Sequence, residues 1–143
     1  IYSNGVTDEG LYGYAEKPKI EGPSFTISAR GTIGYSVLRM APFVPIIRLI
    51  AVTPKNQLFL KFLHERIKLL SFDDSGSVQK QLTVPMIASM KLIVPTINLL
   101  ENYSSLTVSG INKIENNKKE NQKLAQLRDW LLPMLMNGQV RVK

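Results

Sequence analysis

Two stretches of this chain carry side chains suited to gripping an anion. Residues 28–32 read Ser-Ala-Arg-Gly-Thr: a hydroxyl on each side of a cation, and a glycine that lets backbone approach closely. Residues 75–81 read Ser-Gly-Ser-Val-Gln-Lys-Gln, a small polar loop with two serines, two glutamines and a lysine. Phosphate oxygens accept from Arg, Lys, Ser, Thr and free backbone N–H groups, and base edges are read by Arg, Lys, Asn or Gln on protruding loops. Ser28, Arg30, Thr32, Ser77, Gln79 and Lys80 are therefore the leading candidates to clamp a nucleic-acid backbone. Arg39, Arg48 and Lys55 join them on charge alone. The alternative is that Gly31 and Gly76 serve turn geometry and Arg30 is an ordinary surface cation.

The charge is uneven. The chain carries 18 Lys and Arg against 11 Asp and Glu, a net +7. Residues 1–22 sum to −2 and residues 23–68 to +6, so the excess sits in the middle. A polyanion-binding face needs such a segment, because displaced counterions supply much of the affinity. A solubilising surface of scattered Lys and Arg would give the same count.

Chemistry of other kinds finds little support. His64 is the one histidine, and it is expected on the polar side of a helix; there is no cysteine to join it as a metal ligand or to form a disulfide. Asp73 and Asp74 lie in a Gly/Ser turn, where Asp is expected for turn reasons. Residues 31–34, Gly-Thr-Ile-Gly, lack the Lys-Ser/Thr of a phosphate loop and are too short for a dinucleotide fingerprint. The sequence contains neither Asn/Asp-Pro-Pro-Tyr, as an amino-methyltransferase would need, nor Pro-Asp followed by Glu-x-Lys, the common nuclease core. No catalytic residue, cofactor or metal is expected. The greasy run at 40–52 is broken by two prolines and an arginine, and is shorter than the roughly 20 apolar residues of a bilayer span. The lack of cysteine suits a reducing cytoplasm.

The elements that would position these residues follow from periodicity. Residues 24–29 alternate polar and apolar, the pattern of a half-buried strand, and residues 30–32 turn it. Residues 33–38 return as a second strand, and 46–52, rich in β-branched residues, suit a buried third. Thr53-Pro54 offers an N-cap and a first helical proline. Leu58, Phe59, Phe62, Leu63, Ile67 and Leu70 then recur at helical spacing, predicting an amphipathic helix over 55–70. Thr83 caps a short helix reaching about Met90, and 91–94 reads as a last strand.

From Thr96 to about Met136 the chain has one Gly, Gly110, and one Pro, Pro133. That allows about 60 Å of helix. Apolar residues align at Ile97, Leu100, Ile111 and Ile114, and again at Leu124, Leu127 and Leu131. The two groups are separated by a polar stretch at 116–121. A stripe too narrow to make a core alone wants a partner helix. Gly110 offers a break, Gly138 a stop. Trp130 suits an interface anchor, or a cap on its own helix end.

Residues 121–142 resemble the closing segment of the specificity subunits of type I restriction-modification enzymes, above all the Leu-Arg-Asp-Trp-Leu-Leu-Pro-Met-Leu at 127–135. Other pieces resemble that family in order. Residues 6–14 with 22–34 match its glycine-rich entry, strand and Gly-Ser/Thr-x-Gly turn. Residues 43–48 match the segment that follows, 75–83 a polar loop, and 92–95 the apolar strand ending in Pro that closes the globular domain.

The resemblance implies an α+β chain: a small mixed, β-rich target-recognition domain with short helices over residues 1–94, then a long helix over 95–143 that pairs as an antiparallel coiled coil. It implies a non-catalytic subunit of a prokaryotic cytoplasmic complex. Such a subunit reads one half of a bipartite site on double-stranded DNA for methyltransferase and endonuclease partners, with no membrane role. The family's plan has two recognition domains and two helices; this chain has one of each. It is therefore expected to be a C-terminal half, or a half-subunit that dimerises through its helix, starting after the domain's first strand. Two alternatives stand beside this: the recognition domain of a single-chain restriction-methylation enzyme, and a coiled-coil scaffold with no nucleic-acid role.

Overall fold

Residues 24–28 alternate hydroxyl and apolar side chains, and they become the middle strand of a sheet. The computed structural model describes residues 1–70 and 81–139. Its strands are β1 (Ser24–Ser28), β2 (Ser36–Arg39) and β3 (Leu49–Val52), in the order β2-β1-β3, with both neighbours antiparallel to β1. The helices are α1 (Phe59–Lys68), α2 (Val84–Ala88) and α3 (Ile97–Met136). An α+β chain ending in a long helix is what the sequence predicts.

Cross-strand partners share a face, so the register sorts the side chains. Phe25 pairs with Leu38 and Val52, and Ile27 with Ser36 and Ile50. This apolar face meets Leu60 and Ile67 of α1 together with Leu82, forming the core with Ala29. Burying Phe25 and Ile27 contributes about 1.5–3 kcal/mol each.

The opposite face was expected to meet water and does not. Ser24, Thr26 and Ser28 are all buried. Each hydroxyl finds a partner, as burial demands. Ser24 shares a hydrogen bond with Thr53 Oγ1 at 2.8 Å, Thr26 accepts from Arg39 Nε at 3.2 Å, and Ser28 donates to the Asn4 carbonyl at 3.1 Å. The N-terminal segment supplies much of this cover. Its tight turn at Thr7–Gly10 holds Asp8, Glu9 and Gly10 at positive φ. A side chain on Gly10 would collide with the Ser3 carbonyl, so glycine is required there.

Several boundaries depart from the sequence reading, each for a local reason. The helix predicted over 55–70 starts at Phe59, because the Thr53 hydroxyl that would cap it is bonded to Ser24 instead. The Asn56 side chain accepts the Leu58 N–H at 3.0 Å and leads the chain in. The second strand starts at Ser36 rather than 33, since Gly31 and Gly34 at positive φ keep 31–35 in a turn. The third starts at Leu49, after Arg48 at φ 74°. The short helix stops at Ala88. Residues 91–94 form no strand: they pair with no neighbour, and Ile93 and Val94 are exposed.

The described residues fall into two compact units, those up to 104 and those from 105 to 139, so the first includes the opening turns of α3. That helix is 40 residues, about 60 Å at 1.5 Å per residue. Gly110 does not break it. Gly138, at φ 69°, stops it: its N–H bonds to the Leu135 carbonyl and that of Gln139 to Met134, the paired closure of a Schellman motif. Leu100, placed by its spacing on the partner-seeking stripe, is instead buried at 1% exposure within the first unit. No helix among the described residues is long and apolar enough to cross a membrane.

Candidate nucleic-acid interface

Ala29, just past β1, ties three segments together. Its N–H donates to the Arg48 carbonyl at 2.9 Å, and its carbonyl accepts the Leu82 N–H at 2.9 Å. Ala29 and Leu82 are both buried, so their neighbours Arg30 and Gln81 emerge side by side from anchored backbone. Gly31, at φ 75°, lets the chain reverse at once. The Asn4 amide donates to the Arg30 carbonyl at 2.8 Å, and Tyr35 N–H bonds back to Thr32 at 3.1 Å.

This brings Arg30, Thr32, Arg48 and Gln81 to the end of β1 where Ser28 pairs with Leu49. Thr32 and Arg48 are exposed and Arg30 partly so. The positive φ of Arg48 turns the backbone there so that its carbonyl reaches Ala29. The Arg30 guanidinium bonds twice to Gln81 Oε1, from Nε at 3.0 Å and from Nη2 at 2.6 Å. The arrangement presents two cations and a hydroxyl at one rim, donors of the kind that phosphates and base edges call for, with Gln81 bonded to one of the cations.

The other candidates lie elsewhere. Ser28 is buried, its hydroxyl committed to Asn4. Lys55 is exposed but follows Val52, which pairs with Phe25 toward the far end of β1. Arg39 pairs with Ser24 at that far end and is 4% exposed. Its guanidinium lies 3.7 Å from the centre of the Tyr2 ring, donates to Thr26 and to the Glu9 carbonyl, and meets the Glu9 carboxylate at 3.6 Å. Burial pulls its pKa down, while Tyr2, Glu9 and Tyr35 hold it up. Ser77, Gln79 and Lys80 lie outside the described residues. Asn4 and the anchoring role of Gln81 were missed by sequence reasoning. Asn4 carries no local signal, since its partners are 24 and 26 residues away.

His64 is buried against Phe25, with ring centres 5.7 Å apart, and not on the polar side of α1 as expected. The signal was available: His64 follows Leu60 by four and precedes Ile67 by three, which is the buried stripe. Burial lowers its pKa most; the Ser36 backbone and Glu65 oppose that, and Lys61 adds to it. Among the described residues no group of three or more His, Cys, Asp or Glu could hold a metal ion.

In the second unit Ile114, Leu124, Leu127 and Trp130 are exposed, and Ile111 and Leu131 are half-buried; Ile97, in the first unit, is also exposed.

A protein-family model described as the type I restriction modification DNA specificity domain matches residues 1–127. A Mycoplasma pneumoniae protein that carries the name type I specificity subunit S.MpnORF89P is 33% identical over 74% of this chain and 32% of its own length. A second from that organism, S.MpnORF289P C-terminus, is 33% identical over 65% of this chain and 64% of its own. The HindI specificity subunit of Haemophilus influenzae is 24% identical over 89% of this chain and 29% of its own. The chain thus spans under a third of the first and last of these relatives.

Proposed function

The chain belongs to the type I restriction modification DNA specificity domain family, and on that premise we propose that it selects a DNA sequence for other subunits and does no chemistry itself. The observation that carries this is the family match over residues 1–127, which takes in both the globular unit and most of α3. The physical demand agrees with it. Double-stranded DNA needs a cationic rim with side chains that stand clear of the core, and Arg30, Thr32, Arg48 and Gln81 are gathered at one. Ser77, Gln79 and Lys80, which lie outside the described residues, would add further DNA contacts, and Lys55 would meet a more distant phosphate. The recognition domain would read one half of a bipartite target. The apolar edge of α3, with Ile111, Ile114, Leu124, Leu127 and Leu131, would pair with a second recognition half or a second copy. Its charged flanks would meet methyltransferase and endonuclease subunits in a prokaryotic cytoplasm.

The test is titration of random-sequence duplex DNA, followed by selection of the sequences retained. Binding should weaken steeply as salt rises, with one base pattern enriched. No binding at low salt, alone or with its second half, would refute the reading, as would methyl transfer by this chain alone.

A further inference from the structure

The contact between Arg30 and Gln81 has a direction. A guanidinium has a side edge, Nε with Nη2, and an end edge, Nη1 with Nη2. Gln81 Oε1 takes the side edge with both bonds. Among the described residues no partner takes the end edge, which is left as a two-pronged donor. The residues on either side of this contact are not free to drift: Ala29 and Leu82 are buried and bonded to each other, and the Arg30 carbonyl is held by Asn4.

Resting on the DNA-reading function proposed above, we propose that Gln81 is a positioning residue. It fixes Arg30 so that the end edge of its guanidinium meets a pair of acceptors on duplex DNA, either O6 and N7 of a guanine or two oxygens of one phosphate. An unanchored arginine loses rotamer freedom on binding; one already tethered loses less. Gln81 therefore acts through Arg30 and not by its own contact.

The experiment uses the whole chain and a duplex enriched by it from a random-sequence pool. Gln81→Ala should weaken binding to that duplex about fivefold, the scale of one anchoring hydrogen bond, with no change in melting temperature. In an Arg30→Ala background the same change should add nothing. Gln81→Glu keeps an acceptor beside Arg30 and should enrich the same base pattern as the parent chain, even as its charge lowers overall affinity. Equal losses in both backgrounds, parental binding by Gln81→Ala, or a loss matched by a fall in melting temperature would each overturn the inference. Duplexes with 7-deazaguanine and with single methylphosphonate linkages separate the two acceptor sources. Sensitivity to either, lost in Arg30→Ala, supports the role, and insensitivity to both refutes it. If the parent chain retained no duplex at low salt, alone or with its second half, the DNA reading itself would fall and take this inference with it. The outcomes above instead sink the positioning role alone.

Discussion

Arg30 and Arg39 are one residue type in one hairpin, at its turn and at the end of its second strand, and they do opposite work. Arg39 lies under the N-terminal segment, stacked on Tyr2 and bonded to Thr26 and Glu9. Arg30 stands at the other end of β1, held along one edge by Gln81. Both count equally toward a net charge. Only one stands clear of the core, so a cation's worth for binding is set by where the fold has put it and what it has attached to it.

The sharpest way to break this contrast is to delete each arginine. Arg39→Ala should cost about 3 kcal/mol of stability, because a buried, hydrogen-bonded cation leaves unpaired partners behind; thermal unfolding by circular dichroism measures it. Arg30→Ala should leave unfolding unchanged and weaken binding to a selected duplex about tenfold. If the two swapped effects, the assignment of structural and binding roles would be reversed. Arg48→Ala should be milder, reducing the slope of log affinity against log salt by about 1 and weakening all sequences alike.

His64 supplies a pH dependence on the core side of the sheet. Above its ordinary value of 6.5 the ring is neutral in both folded and unfolded chains and adds no slope. Below that, the unfolded chain takes the proton first, because the folded pKa is lowered, so stability falls as pH drops. Glu65 is also lowered, chiefly by its hydrogen bond from Lys61, so its contribution holds above 4.5 and is lost beneath it. Among the described residues, the window between those two values therefore belongs to His64. His64→Leu should flatten unfolding free energy there, measured by urea titration at several pH values, while Arg30→Ala should not.

Two glycines give the smallest contrast. Gly31 sits at φ 75°, so Gly31→Ala should cost about 1 kcal/mol. Gly110 lies inside α3 with nothing within 4 Å of an added Cβ, so Gly110→Ala should gain about 0.8 kcal/mol of helix stability.

The sequence made some of this plain. Strand cores, the long helix and its Gly138 stop follow from periodicity and capping, which are local. The partners that shift boundaries are distant: Thr53 was an obvious cap until Ser24, 29 residues away, bound its hydroxyl. Arg39 counted as a DNA-binding candidate on charge alone because nothing near it in sequence announces Tyr2 and Glu9. The Arg30 turn was legible from its own residues, but Gln81 enters it across 51 positions of chain.

Asn4 belongs to both ends of the story. Its carbonyl receives the Ser28 hydroxyl and its amide holds the Arg30 carbonyl. Peeling away residues 1–4 would therefore unclamp the reading turn as well. Amide protons at Tyr35 and Gly34 should exchange with solvent in step with those of Tyr2 and Ser3, one breathing motion opening the roof and loosening the fingertip beneath it.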